Sequence, residues 1–271
     1  SKDTPALICG LRGIIYTEVE VRGAKHDLHS GSYGGVAPNP LHTLAIIIAG
    51  LKDAEGHIHI PALYDKLREP TEQEQAFWRD DPLHINESLL EEMGVSQLTG
   101  EAEYPPLERI WARPTLEVHG IVGGFTGEGA KTVIPAVAKA KISLRLPSDL
   151  KSDEVFTLFE RRVKELAPVG VEVTVHNVHG GESVMVPIDT PPMQAAAAAL
   201  KETYGKEPVC IREGGSIPIA ALFYEILGVP VVLMGFGLPD DNLHAPNEKY
   251  SLSQFFKGMR TVARFLQNMG E

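Results

Sequence analysis

The sequence predicts an α/β chain in which a ferredoxin-like β-α-β-β-α-β body is followed by a tail of different character. Three observations carry this. Four segments alternate apolar and polar residues with the period of two that a half-buried strand needs. Two segments among them repeat apolar residues at helical spacing. After about Gly181 the order becomes helix, helix, strand, helix, with a continuous apolar run replacing the alternation.

Each element has its own signal. In "IYTEVEVR", Ile15, Thr17, Val19 and Val21 share one face and Tyr16, Glu18, Glu20 and Arg22 the other. A Gly-rich loop, "GAKHDLHSGSYGG", leads to the helical run "NPLHTLAIIIAGLKDA", with Pro40 in its first turn. Residues 54–110 are acidic and irregular, with short helical pieces such as "TEQEQAFWRDD" and "NESLLEEMG", and read as an insertion. "PTLEVHGI" sets Leu116 and Val118 against Glu117 and His119. "AKAKISLRL" sets Ala138, Ala140, Ile142, Leu144 and Leu146 against Lys139, Lys141, Ser143 and Arg145. The next helix, "SDEVFTLFERRVKELAP", has Ser152 as its expected N-cap and Val155, Leu158, Phe159, Val163 and Leu166 on one face. "VEVTVHNV" is the fourth strand, which completes the split βαβ order.

In the tail, "DTPPMQAAAAALKETYG" is a helix with Thr190 as N-cap, Pro191 at its first position and Gly205 at its end. "EGGSIPIAALFYEILG" is a glycine turn feeding a helix, and "VPVVLMGFG" reads as a strand buried on both faces. "SLSQ", from Ser251 to Gln254, has the form of a capping box opening the last helix. One strand cannot make a sheet, so the tail needs strands from elsewhere.

Bulk properties narrow the function. The chain has 271 residues, 43% hydrophobic and 23% charged, the balance of a soluble globular protein. A net charge of -11 lacks the basic face that nucleic acid or an anionic membrane would need. No apolar run approaches the ~20 residues that span a bilayer. Cys9 and Cys210 lie far apart with no CxxC spacing, and are expected as buried thiols in a reducing, cytoplasmic compartment. The start, "SKDTPALICG", has no initiator Met and resembles the inside of a longer protein.

Four places could carry chemistry. His244, in "DDNLHAPNE" just beyond the apolar run, sits where open α/β sheets place their sites, and imidazole is a common zinc ligand. The alternative is a surface histidine bonded to Asp240 or Asp241. Ser216, in "REGGSIP", precedes a helix whose N-terminus could receive a carboxylate, or is an ordinary helix cap. There is no GxSxG elbow to support a serine hydrolase. His26 and His29 lie in a flexible glycine loop suited to close approach by a ligand or a second subunit, or are simply solvated. Arg145 could clamp a carboxylate bidentately, or be one more solvated cation beside Lys139 and Lys141. Thr132 has no local signal.

Taken in order, "DLHSGSYGG", "GAKTVIPAVAKAKISLRLP", "REGGSIP" and "DDNLHAPNE" resemble the di-zinc metallopeptidases related to carnosinase. That family includes acetylornithine deacetylase, succinyl-diaminopimelate desuccinylase and aminoacylase, and the insertion is most similar to the dipeptidase branch. The resemblance implies a catalytic α/β domain interrupted by a ferredoxin-like lid that also mediates dimerisation. Residues 1–13 would end the N-terminal part of the catalytic domain, 14–184 would be the lid with its insertion, and 185–271 the returning C-terminal part. It implies His244 as a metal ligand, and His29 as the lid histidine that reaches the partner subunit's site and polarises the scissile carbonyl. Arg145 and Thr132 would bind the substrate's C-terminal end, and Ser216 would help hold it.

The family's other ligands, an HxD histidine, a bridging aspartate, a Glu-Glu pair and a further acid, precede the lid. This chain has no HxD, its Glu91-Glu92 pair falls in the insertion, and Asp3 lies after the matching motif. Two divalent ions, zinc or manganese, are therefore expected in the intact enzyme and one or none in this chain alone. The expected activity is dipeptide hydrolysis by a homodimer completed by an N-terminal catalytic segment. The alternatives are an N-acyl amino acid deacylase and a non-catalytic dimerisation or binding module.

Overall fold

The computed structural model describes residues 2–81, 84–243 and 245–270. The chain divides into two compact units, Arg12–Ser183 and Ser1–Leu11 with Val184–Glu271. In chain order it begins with β1 (Ala6–Leu11), which belongs to the second of these.

The unit Arg12–Ser183 holds β2 (Gly13–Arg22), β3 (Leu28–His29), α1 (Ser30–Tyr33), α2 (Pro40–Leu51), α3 (Glu72–Asp80), α4 (Ile85–Met93), α5 (Pro106–Trp111), β4 (Thr115–Gly123), β5 (Val133–Ile134), β6 (Val137–Leu146), α6 (Ser152–Leu166) and β7 (Glu172–Gly181). Its main sheet has the order β4-β6-β2-β7, with every neighbouring pair antiparallel. This is the ferredoxin-like order that the alternating patterns predict. The apolar faces of β2 and β6 pack under α2 and α6: Ile15, Val19, Ile142, Leu144, Ile47 and Phe159 are all fully buried in one cluster. Asn39 caps α2 by accepting from the Leu41 amide, with Pro40 at the first position.

Two local expectations fail in this unit. Ser152 is not the cap of α6. Lys151 holds that position, and the Ser152 hydroxyl donates to Glu182, just past the end of β7, at 2.6 Å. Val118 is not a core residue. Val118 still pairs in register with buried Ile142 and is left exposed on the edge strand, and the register of β4 against β6 shifts only after it, between Val118 and Gly120. Only Leu116 of β4 is buried.

The insertion is organised around a T-shaped Trp78–Trp111 pair and a buried ion pair. Arg113 donates to both oxygens of Glu101 at 2.7 Å, and its guanidinium lies over the rings of Tyr104 and Tyr64. Burial pushes the Tyr64 hydroxyl up to about 12.

The other unit adds β8 (Val184–Met185), α7 (Pro191–Tyr204), β9 (Val209–Glu213), α8 (Pro218–Leu227) and α9 (Leu252–Gly270), with a 3-10 turn at Pro239–Asp241. The sheet order is β8-β1-β9, with β1 and β9 parallel. The strand expected at 229–234 is absent as a ladder. Leu233 makes one bridge to Ile8, because that edge of β1 is shared with β8 at Gly10 and Leu11. The strand that does form, β9, came with no alternation to announce it. Gly205, with φ 71, ends α7 in the left-handed region and Thr190 holds its N-cap position, both as expected, although the Thr190 hydroxyl donates to the Pro187 carbonyl.

The Ser251–Gln254 capping box does not form. Gln254 is buried, accepts from the Tyr204 hydroxyl at 2.7 Å and donates to the Lys2 carbonyl at 3.0 Å. Nor are the cysteines free thiols. Cys9 and Cys210 form a disulfide, with Cα atoms 6.1 Å apart. The cause is the parallel register, which sets Cys210 opposite Leu7 and places Cys9 at the bulge between Ile8 and Gly10. The disulfide removes the compartment argument that rested on free thiols. Among the described residues, no helix is long and apolar enough to cross a membrane.

Candidate functional site

The candidate residues fall in both units, and within Arg12–Ser183 the structure brings two of them together. His29 ends β3, where it pairs with Val133 of β5, and Thr132 immediately precedes that strand. The Ser30 amide donates to the Thr132 carbonyl at 3.1 Å, and the Thr132 hydroxyl lies 3.4 Å from His29 Nε2. Asp27 holds the same corner by accepting from the Ala136 amide at 2.9 Å. His29 also caps α1: its Nδ1 accepts from the Gly31 amide at 3.1 Å. His26 lies in the exposed bend before β3.

Arg145 is not part of this group. It sits near the far end of β6, opposite Ile14 of β2 and Thr115 of β4. From there to Val137, the β6 residue nearest the His29 corner, is eight residues of strand, about 27 Å. Burial lowers the pKa of the Arg145 guanidinium from its ordinary value, so a carboxylate there meets a partly dehydrated cation. The sheet face beside it carries a feature that the alternation alone did not reveal. Bulged His119 stacks on Tyr16 at 5.3 Å, Tyr16 stacks on His179 at 5.2 Å, and His119 Nε2 lies 2.7 Å from the Ser143 hydroxyl. Further along, Lys139 bridges Glu18 and Glu20.

In the other unit Ser216 lies one residue before Ile217, the N-cap of α8, so it is not itself the cap. His244 lies outside the described residues. Its acidic neighbours are engaged: Asp240 pairs with Lys249 at 2.6 Å, and fully buried Asp241 accepts from the Leu238 amide at 2.7 Å. Lys249 holds the Asp240 carboxyl below its usual range.

A two-metal centre does not fit the described residues. Among them, one trio of possible ligands converges, His57, Glu101 and Glu103. There the Arg113 guanidinium already occupies both oxygens of Glu101 and supplies the positive charge a cation would bring.

A family model described as the peptidase dimerisation domain matches residues 9–171, well over half of the chain. The chain belongs to the M20 peptidase family. It falls in the carnosinase-like branch: the Cys-Gly metallodipeptidase DUG1 of Saccharomyces cerevisiae is 34% identical over 98% of this chain and 56% of its own length. The Beta-Ala-His dipeptidase of Homo sapiens is 32% identical over 100% of this chain and 54% of its own. The solved structure of human carnosine dipeptidase 1 matches with a TM-score of 0.83 at 31% identity, over 99% of this chain and 57% of that one. This M20 chain thus spans about half the length of the curated relatives it matches.

Proposed function

We propose that this chain is the lid and C-terminal catalytic portion of a metal-dependent dipeptidase that works as a homodimer. The reading takes residues 14–184 as the lid and 185–271 as catalytic. A segment outside the 271 residues supplies most ligands for two divalent ions, zinc or manganese, and the general base. His244 adds one ligand from this chain. The relatives named above, metallodipeptidases matched along the whole of this chain, support dipeptide hydrolysis over deacylation. The surface of the tail supports the covering segment. Ile219, Phe223 and Ile226 of α8 and Phe256, Met259 and Leu266 of α9 are exposed large apolar side chains, which suit burial against such a segment.

The observation that carries the dimeric reading is that Arg145 lies near the far end of β6, whereas His29 pairs with β5, which leads into its start. A dipeptide is far shorter than about 27 Å of strand, so one copy's lid does not offer both residues to one substrate. With a second copy present, His29 and Thr132 serve the partner's substrate while Arg145 serves its own. Arg145 fixes the terminal carboxylate by paired charge-assisted hydrogen bonds. His29 donates to the oxygen of the scissile carbonyl as negative charge develops on it. The exposed Val118, Ile121 and Val122 on edge strand β4 suit pairing between copies.

A mixing experiment tests the arrangement in the whole enzyme that contains this chain. His29→Ala and Arg145→Met are each expected to be nearly inactive on unblocked dipeptides. Refolded together in equal amounts, half of the dimers are mixed and each has one intact site, so about a quarter of wild-type activity returns. No recovery, with mixed dimers shown to form, means that the two residues act within one copy. Hydrolysis of N-acetyl amino acids but not of dipeptides by the wild type means that the enzyme is a deacylase.

A further inference from the structure

His29 caps α1 with its ring, where a hydroxyl or carboxylate is usual. The donor it meets is the Gly31 amide, 3.1 Å from Nδ1. A backbone N–H can only donate, so Nδ1 must present its lone pair. In the neutral imidazole the single proton then sits on Nε2. That nitrogen faces the Thr132 hydroxyl at 3.4 Å, a long contact to an oxygen that can accept. The β3–β5 pairing and the Ser30-to-Thr132 backbone bond hold the two side chains in register.

Gly31 also supplies the space. A Cβ at this position would come within 2.9 Å of His29 Cε1 and 3.1 Å of Nδ1, so any larger residue pushes the ring away. We propose that Gly31 is a positioning residue that fixes His29 as the Nε2–H tautomer. His29 is thereby a hydrogen-bond donor toward a carbonyl oxygen and not a base that takes a proton from the nucleophile. The Thr132 hydroxyl accepts this hydrogen bond in the empty site and yields to the stronger acceptor that a polarised carbonyl becomes. The consequence for catalysis rests on the dipeptidase reading above, while the tautomer does not.

The test separates the two. In the 271-residue chain labelled with 15N, long-range proton–nitrogen spectra at neutral pH are expected to show His29 carrying its proton on Nε2. A coupling across the hydrogen bond is expected between the Gly31 nitrogen and His29 Nδ1. Gly31→Pro deletes the amide hydrogen in the first turn, where proline is tolerated, and is expected to abolish the coupling and populate both tautomers. Gly31→Ala keeps the hydrogen, displaces the ring and is expected to weaken the coupling, which keeps the proposal testable if the proline variant does not fold. A wild-type His29 protonated on Nδ1, or tautomer populations and coupling unmoved by either substitution, overturns the proposal. In the whole enzyme, Gly31→Ala is expected to lower kcat by about tenfold or more with KM changed less. Full turnover in that variant overturns the positioning role, whereas a wild type inactive on dipeptides overturns only the dipeptidase reading.

Discussion

Helices α6 and α9 are both strongly amphipathic, and their apolar faces meet opposite fates. In α6, Val155, Phe159 and Val163 are fully buried against the sheet of their own unit. In α9 the buried positions are Gln254, Gly258 and Thr261, while Phe255, Phe256, Met259 and Leu266 stay exposed. The helix turns its small and polar line inward with half-buried Phe265, and keeps its other large apolar residues outside. Helix α8 repeats the pattern, burying Ala220 and Ala221 and exposing Leu222, Phe223 and Ile226. An apolar face records that a partner exists without saying where the partner is. In Arg12–Ser183 the partner is in the same unit, whereas for α8 and α9 the described residues do not cover it.

The largest expected effect follows from that contrast. Phe159→Ala removes a fully buried aromatic from the centre of one core, and is expected to cost about 4 kcal/mol of the stability of its unit. Phe256→Ser, on the exposed face of α9, is expected to change the stability of the 271-residue chain by less than about 0.5 kcal/mol. Urea unfolding of both variants decides it. A large loss for Phe256→Ser would mean that α9 is already packed within this chain and that the contrast is false. If the proposed additional segment covers α9, the same substitution is expected to become costly in its presence.

The Glu101–Arg113 pair sharpens the picture of Arg12–Ser183 as self-sufficient, because even its insertion is internally satisfied. Burial pushes the Arg113 guanidinium down in pKa, and the two hydrogen bonds to Glu101 more than reverse this. Glu101→Ala leaves a half-buried cation without its carboxylate, and a loss of about 3 kcal/mol is expected. Replacing both together by apolar residues of similar volume is expected to recover most of that loss. A double variant as unstable as the single would mean that the pair organises the insertion beyond cancelling its own charges.

How far the sequence was legible follows the same line. The body was readable because its strands pair within one unit, so the alternation Ile15–Thr17–Val19–Val21 met its core directly. Val118 keeps the period with Leu116, but it lies on an edge strand, and alternation does not show whether a strand is central or at the edge. In the tail, the apolar run at 229–234 looked like a central strand but has one bridge to a neighbour, while β9 is short and gave no periodic signal. Gln254 has the spacing of a capping box, yet its side-chain oxygen accepts from the hydroxyl of half-buried Tyr204. The pairing of Cys9 with Cys210, 201 residues apart, depends on a parallel register that no local pattern encodes. Among the site residues, His29 was visible only through its neighbours in "DLHSGSYGG", and Thr132 only through the family pattern. Their closeness comes from a two-residue ribbon too short to show in periodicity.

The smallest effect concerns the rim of the insertion, where the contrast between satisfied and unsatisfied surface becomes a matter of pH. His57 Nε2 lies 2.8 Å from Glu103, and its Nδ1 lies 3.4 Å from Asp53, which also meets His59 at 2.9 Å. The hydrogen bond to Glu103 raises the His57 pKa above its ordinary 6.5, with Asp53 adding to it. The bond to His57 in turn lowers that of Glu103. A histidine whose folded pKa is raised contributes stability that is fully present below about pH 6.5 and is lost as pH rises through the folded value. The group is exposed, so the gain is small and salt-sensitive. Titration of the His57 ring by NMR is expected to give a midpoint above 6.5 that falls toward it in high salt and in Glu103→Gln. Amide exchange around residues 53–60, corrected for its intrinsic pH dependence, is expected to slow at low pH in the wild type and not in His57→Gln. A midpoint at or below 6.5 would mean that these side chains are independently solvated, and that the insertion is held by its buried pair alone.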